Sequence, residues 1–359
     1  MKRIFLAVVV IAFVFMLAWF VALRQALLFL VGLGMGAVLA GMRFGFTTGW
    51  RKLIEQRDPS GVLAQLALLG LAAILCMPML AAYPKDLEAA LGPPSFSLII
   101  GAFVFGAAMQ VADGCGSGTL YKAGLGIPLN TAILPVFAVG SFLGSATLER
   151  WLSLGAMRPY GLVAHFGAGE ALGVTLLGLI VLGALVVRWS GRSARLLDHK
   201  LLLGAVLLAV LAALNLAIAG QPWGIVYGFG LWAAKVATAA GLFDPAANHF
   251  WSEAVNMTTL RQSVFLDVTS ITDIGILAGA LWVALGKPRS AAKPLTGVQW
   301  TVGIVAGFLL GYSSRLAFGC NIGAMVSGIS TGSVHGWIWV FMAFLGSLLG
   351  VRVRRHFAF

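Results

Sequence analysis

The sequence predicts an all-α, polytopic membrane protein of about ten transmembrane helices plus short re-entrant helices, arranged as an inverted repeat with pseudo-twofold symmetry, an hourglass. Three observations predict it. The chain is 60% apolar and only 10% charged, whereas a soluble domain carries about 25% charged residues. Apolar runs near 5–23, 63–80, 173–187, 201–218 and 337–351 have the length, or nearly so, to cross a hydrocarbon core of roughly 30 Å. A glycine–cysteine turn at the end of an apolar run then occurs twice, around Cys115 and around Cys320.

The formal net charge of +12 does not describe a nucleic-acid-binding surface. The basic residues form no patch with interleaved aromatics. They sit in short hydrophilic gaps between apolar runs, the pattern of the positive-inside bias. Three cysteines are too few for a disulfide framework, and their odd number leaves at least one free. Met1-Lys2-Arg3 opens an apolar run of about 20 residues, longer than a signal-peptide core, so it reads as a retained first span.

Placing the basic clusters Lys2/Arg3, Arg43/Arg51/Lys52/Arg57, Arg188/Arg192/Arg195/Lys200, Lys287/Arg289/Lys293 and Arg352/Arg354/Arg355 in the cytoplasm sets the threading. Ten spans follow, near 4–23, 25–41, 61–82, 95–112, 128–148, 166–188, 200–219, 269–286, 297–316 and 333–351, with both termini cytoplasmic in an inner-membrane protein. Residues 1–24 form an extra N-terminal helix, 25–190 the first repeat and 191–359 the second. The region from Gln221 to Leu266, with Pro222, Pro245, Asn248, His249, Glu253 and Arg261, is too polar for lipid. It is either a helix pair folded back into the protein or an external loop.

Aligned on the cysteines, Gly106-Ala-Ala-Met-Gln-Val-Ala-Asp-Gly114-Cys115-Gly116-Ser117-Gly118 and Gly311-Tyr-Ser-Ser-Arg-Leu-Ala-Phe-Gly319-Cys320-Asn321-Ile322-Gly323 share glycines at −9, −1 and +3 and alanine at −3. The span before Cys115 runs inward and the one before Cys320 outward. The repeats are therefore inverted, as in many transporters. Gly114–Gly126 and Asn321–Ser330 are too short to cross a bilayer, so each reads as a half-helix that enters towards the midplane with a cysteine at its start.

Such an N-terminus presents unpaired N–H groups and partial positive charge to an anion. Gly114, Gly116, Gly118, Gly319 and Gly323, with Asn321 between the last two, let backbone approach a ligand. A thiol is a weak, polarizable donor suited to a large soft anion that must bind and leave again. A thiolate would repel that anion, so the reading takes both as neutral thiols. The plainer reading of a single cysteine is a small buried hydrophobe, and Cys76 is assigned that role. No Cys-x-x-Cys or histidine cluster supplies metal-ligand spacing at either turn, and no cofactor motif accompanies them.

Asp113, Lys122 and Arg315 flank the turns, where ionisable groups are costly. Lys122 and Arg315 either steer an anion into the two vestibules or are snorkelling, structurally paired side chains. Asn130 is assigned as a helix cap, and Tyr121, Trp337 and Trp339 as interfacial or packing aromatics.

Met42-Arg-Phe-Gly-Phe-Thr-Thr-Gly-Trp-Arg51, Gly114-Cys-Gly-Ser-Gly-Thr-Leu-Tyr-Lys-Ala-Gly124 and Arg315-Leu-Ala-Phe-Gly-Cys-Asn-Ile-Gly-Ala324 resemble the YeeE/YedE family of sulfur-transport membrane proteins, which includes thiosulfate importers. The resemblance implies the hourglass fold, uptake of thiosulfate through cysteines along a central path (two of them matching Cys115 and Cys320), and association with a TusA-like sulfur-carrier protein. Members with three pathway cysteines carry the first where Gly45 stands here. A related sulfur or selenium species therefore stays open as substrate, as does a membrane thiol-redox enzyme using Cys115 and Cys320. The chain carries no ATP-binding motif.

Overall fold

The computed structural model describes residues 2–191, 198–286 and 294–359. Among these, nine helices are long and apolar enough to cross a membrane, and Val268–Ala284 is a shorter apolar helix. Every span read from the sequence coincides with one of these ten. Arg192, Arg195, Lys287, Arg289 and Lys293, used in the charge reading, lie outside the described residues.

In chain order the helices are α1 (Lys2–Phe20), α2 (Leu23–Met42), α3 (Phe46–Gln56), α4 (Ser60–Ala82), α5 (Phe96–Val111), α6 (Gly116–Gly124), α7 (Pro128–Ala146), α8 (Leu148–Leu152) and α9 (Leu162–Ser190). They continue with α10 (His199–Ala219), α11 (Val226–Ala239), α12 (His249–Ser252), α13 (Ala254–Arg261), α14 (Val268–Ala284) and α15 (Gly297–Leu316). A π-helical turn, Asn321–Ser327, runs into α16 (Gly328–Ser330), and α17 (Val334–His356) ends the chain.

Two long helix pairs, α5 with α17 and α7 with α15, pack along their lengths, and α5 meets α15 between them. Around this centre α2 packs on α14 and α10 on α4, while α2 meets α10. Small residues permit the contacts. A Cβ added at Gly32 or Gly36 of α2 would overlap the backbone of Thr272 or Ile276 in α14, and one at Gly106 of α5 would overlap Ala343 in α17. Lipid tails are as apolar as leucine, so close backbone approach, rather than hydrophobic burial, holds membrane helices together.

α1 stands apart. It is the least covered of the spans and joins the body through a small separate cluster in which Leu17, Leu28, Phe29 and Ile271 are buried. α9 touches chiefly α4, and a cavity of about 540 Å³ opens between them and α17, lined by side chains such as Leu66, Leu69, Val181, Leu185, Trp337 and Phe344. Its walls are almost wholly apolar, which suits acyl chains rather than an anion.

The polar region from Gln221 to Leu266 divides. α11 packs against α7, with Phe229, Leu231 and Ala234 inside the protein, as a helix folded back into the body would be. The segment after it, through α12 and α13, caps it: Trp251 is buried while Leu242 and Val255 face outward.

Candidate functional site

Two turns of the same build bring the cysteines to the centre. In the first, Gly114 N–H donates to the Met109 carbonyl (3.1 Å), and in the second Gly319 N–H donates to Ser314 (2.8 Å). This six-residue closure requires a left-handed residue just before the glycine. Asp113 (φ 52°) and Phe318 (φ 57°) fill that position, at a cost of about 1–2 kcal/mol each for a residue with a Cβ. The chain then extends through Cys115 and Cys320 and starts a helix. Thr119 N–H donates to the Cys115 carbonyl (2.8 Å) and Ala324 N–H to that of Cys320 (2.9 Å).

Each thiol sulfur caps the helix it precedes. Cys115 Sγ accepts from Gly118 N–H at 3.4 Å and lies 3.4 Å from Ser117 Oγ; Cys320 Sγ accepts from Ile322 N–H at 3.4 Å. Both thiols are buried and free. The two turns meet. A Cβ built on Gly116 would lie 2.8 Å from Cys320 Sγ and 3.2 Å from Val226 Cγ1, so only a glycine fits there. Beside Gly118 the nearest foreign atom is Cys115 Sγ, and beside Gly323 there is open space. Cys76 takes no part; it packs with Leu80, Ala213 and Leu216.

A second pair of turns frames the thiols. Phe44-Gly45-Phe46 leads into α3 and Trp223-Gly224-Ile225 into α11. The first is held by Gln65, whose Nε2 donates to the Phe46 carbonyl (3.2 Å) and whose Oε1 accepts from Trp50 Nε1 (2.8 Å). The second is held by Ser327 Oγ donating to the Trp223 carbonyl (2.6 Å) and Ser141 Oγ donating to that of Val226 (2.8 Å). Gly45 lies beside Tyr121: a Cβ there would be 3.6 Å from the Tyr121 hydroxyl. The sequence shows this pair only as an aromatic-Gly-x-x-x-Gly spacing shared by Phe44–Gly49 and Trp223–Gly228, a short signal in a glycine-rich chain.

Buried polar groups without partners concentrate here. Both side-chain atoms of Asn321 and Gln110, both carboxyl oxygens of Asp273, the hydroxyls of Thr47 and Thr119, and Trp223 Nε1 make no hydrogen bond. An orphaned buried polar group costs about 1–3 kcal/mol, so such a concentration marks a place built for something other than stability.

The flanking charges differ on the two sides. Asp113 is gripped by Arg51 Nη1 (2.7 Å) and Lys122 Nζ (2.6 Å), with Arg354 Nη1 at 3.7 Å. Lys122 also donates to the Asp113 carbonyl. Three cations around one carboxylate leave this mouth positive. Arg315 has no ion pair among the described residues. Its guanidinium lies over the rings of Tyr227 (5.6 Å) and Phe250 (5.1 Å), and its Nε has no partner.

One sequence assignment changes. Asn130 does not cap α7, which begins at Pro128; its Nδ2 donates to the Ala112 carbonyl (3.3 Å), tying α7 to the first cysteine turn. Of the two roles read for Tyr121 and Trp339, interfacial or packing, burial favours packing, and Trp339 Nε1 donates to the Gly319 carbonyl (3.2 Å).

Comparison with known proteins bears on what this arrangement is for. The profile of the family described as Sulphur transport matches residues 41–349. The chain belongs to this family. It is 26% identical over 339 residues to the thiosulfate transporter TsuA of Spirochaeta thermophila, covering 89% of this chain and 95% of that protein. It is also 28% identical over 149 residues to the probable transporter YedE of Escherichia coli and of Salmonella typhimurium, in each case 40% of this chain and 35% of the relative. The chain is thus a multi-pass membrane protein of a transporter family rather than an enzyme, and a sulfur-containing anion is the substrate its relatives support.

Proposed function

We propose that the chain takes up thiosulfate across an inner membrane, through a path running from Arg315 past Cys320 and Cys115 to the Asp113 cluster. One observation carries this reading: two buried thiols cap the short helices that follow them, and the two turns meet at Gly116. Residues 25–190 and 191–359 act as two inverted repeats related by a pseudo-twofold axis. The exchange of packing partners supports this, since α5–α17 corresponds to α15–α7 and α2–α14 to α10–α4. Residues 1–24 form an added helix outside the repeats.

In this reading both termini are cytoplasmic. Arg315 receives the anion outside. The helix N-termini, the Asn321 amide and the two thiols replace its water, and Arg51, Lys122 and Arg354 draw it to the cytoplasmic mouth. Gly114, Gly118, Gly319 and Gly323 have no side chain to shield the backbone from the anion. Each contact is weak and several follow in series, which conduction requires. Gly45 gives the first half no third thiol, so Tyr121 lines the path there instead. The basic mouth also suits an acidic partner, and a TusA-like carrier is the acceptor to test.

The reading is tested by growth on thiosulfate as sole sulfur source in a strain lacking other sulfate and thiosulfate uptake. The parent chain restores growth, while Cys115→Ala and Cys320→Ala do not. Growth of both variants at the parental rate would remove the cysteine pathway.

A further inference from the structure

Among the described residues, Asp273 is a carboxyl near the thiols that no cation pairs with. It lies in α14, fully buried, and neither Oδ1 nor Oδ2 has a hydrogen-bond partner. It faces the first turn of α11, where a Cβ added at Gly228 would come within 2.9 Å of Oδ2. The same turn of α11 carries Val226, which borders Gly116 together with Cys320 Sγ.

The ionisable groups on the surrounding elements are committed elsewhere. At the start of α14, Asp267 is the other carboxyl, and it accepts from Ser270 N–H (2.7 Å) and Oγ (2.6 Å). From α11, Lys235 Nζ donates to the carbonyls of Thr259 (3.0 Å) and Leu260 (2.7 Å), and the Tyr227 hydroxyl bonds Asn256. From α2, Arg24 donates to the carbonyl of Ile218 (2.9 Å), and Arg43 follows the far end of the helix. From α6, Lys122 is bound to Asp113 and Tyr121 lies beside Gly45; from α1, Arg3 reaches the Trp282 carbonyl and Lys2 sits at the helix start. No cation is left for Asp273 among the described residues.

The other half shows what a merely structural group looks like at this place. Gln65 of α4 stands against Gly49 of α3 as Asp273 stands against Gly228 of α11, and its neutral amide is bonded to Trp50 and Phe46. An amide is neutral at any pH. A carboxyl in a dry, cation-free site is neutral only with a proton on it, and ionisable groups at membrane depth serve pathways and proton relays by default.

We propose that Asp273 is a proton-binding site and that the protein moves one proton with each anion. An ionised carboxylate beside Cys320 repels an anion arriving at that turn, so the anion occupies it only when Asp273 carries a proton. The proton is taken from water on the side the anion leaves and released to water on the side it reaches, which returns the carboxyl to its starting form. The coupling rests on the transport reading above; the proton site itself does not.

The test pairs two measurements on the full-length chain in lipid vesicles. Infrared difference spectra of the parent at neutral pH show a protonated-carboxyl C=O band that is lost in Asp273→Asn and shifted in Asp273→Glu. A parent spectrum without such a band overturns the proposal whether or not any anion moves. With thiosulfate outside and a pH dye inside, uptake by the parent acidifies the lumen, and once external pH exceeds the carboxyl's own pKa it falls up to about tenfold per unit rise, the one-proton limit. Asp273→Asn uptake carries no protons and loses the pH response, and Asp273→Glu regains both. Parental uptake without acidification, or acidification that persists in Asp273→Asn, overturns the coupling. Absence of thiosulfate uptake with the band present removes the thiosulfate reading and leaves the proton site supported.

Discussion

The two cysteine turns share a backbone and differ in almost every charge around it. At the residue before the glycine, the first half places Asp113, locked by Arg51, Lys122 and Arg354; the second places Phe318. Five residues before each cysteine the relation reverses, with neutral Gln110 in the first half and Arg315 in the second. At the framing turns, Gln65 has its amide bonded while Asp273 has no partner. Repetition of the backbone builds the meeting point, and divergence of the side chains gives its two sides different work. Beside the first turn stands a crowded, fixed ion cluster. Before the second stands a single guanidinium over two rings.

Breaking the meeting point of the two turns has the largest expected effect. Gly116→Val drives a branched side chain into Cys320 Sγ and Val226, and thiosulfate uptake into vesicles drops to the background of empty ones. A normal rate would show that the turns part during transport. Next comes the divergent ion cluster. Asp113→Ala leaves Arg51 and Lys122 facing each other without their anion, and thermal unfolding in detergent shows a loss of about 2–3 kcal/mol, discounted for the partial exposure of the carboxylate. Arg315→Gln copies the first half's residue into the second. KM for thiosulfate rises about tenfold with little change in maximal rate, because the guanidinium attracts the anion before the narrow part of the path. Cys76→Ala is the smallest change: uptake is parental and stability falls by about 1 kcal/mol, as for any small cavity in an apolar cluster.

The same contrast explains what the sequence discloses. Both cysteine turns were legible because one glycine–cysteine pattern occurs twice at the end of an apolar run, and the ten spans because their polar gaps carry the basic residues. α3 was not, and α11 only as one of two alternatives for residues 221–266. Residues 46–56 carry Arg51, Lys52 and Glu55 on one face and bury Phe46, Trp50 and Leu53 on the other, so by composition they pass for a hydrophilic gap. Asp273 is hidden for the opposite reason. A single carboxyl in a 17-residue apolar helix leaves the span intact by every measure of hydropathy. Asn130 looked like a cap because it opens a helix, but Pro128 already supplies the first turn and frees the amide for Ala112. Tertiary partners of this kind have no local signature.

On the proposed path, the close approach of Gly116 and Cys320 has an electrical consequence. Where water is excluded over a short distance, the transmembrane voltage falls across that distance instead of across the full bilayer. A charge passing that point therefore meets nearly the whole field in one step. At about 100 mV each elementary charge is worth about 2.3 kcal/mol, so a dianion moving towards the negative side climbs about 4.6 kcal/mol. Each proton travelling with it removes half of that climb. Turnover set by such a step is steeply voltage-dependent, and that steepness counts the net charge crossing between the two sulfur atoms.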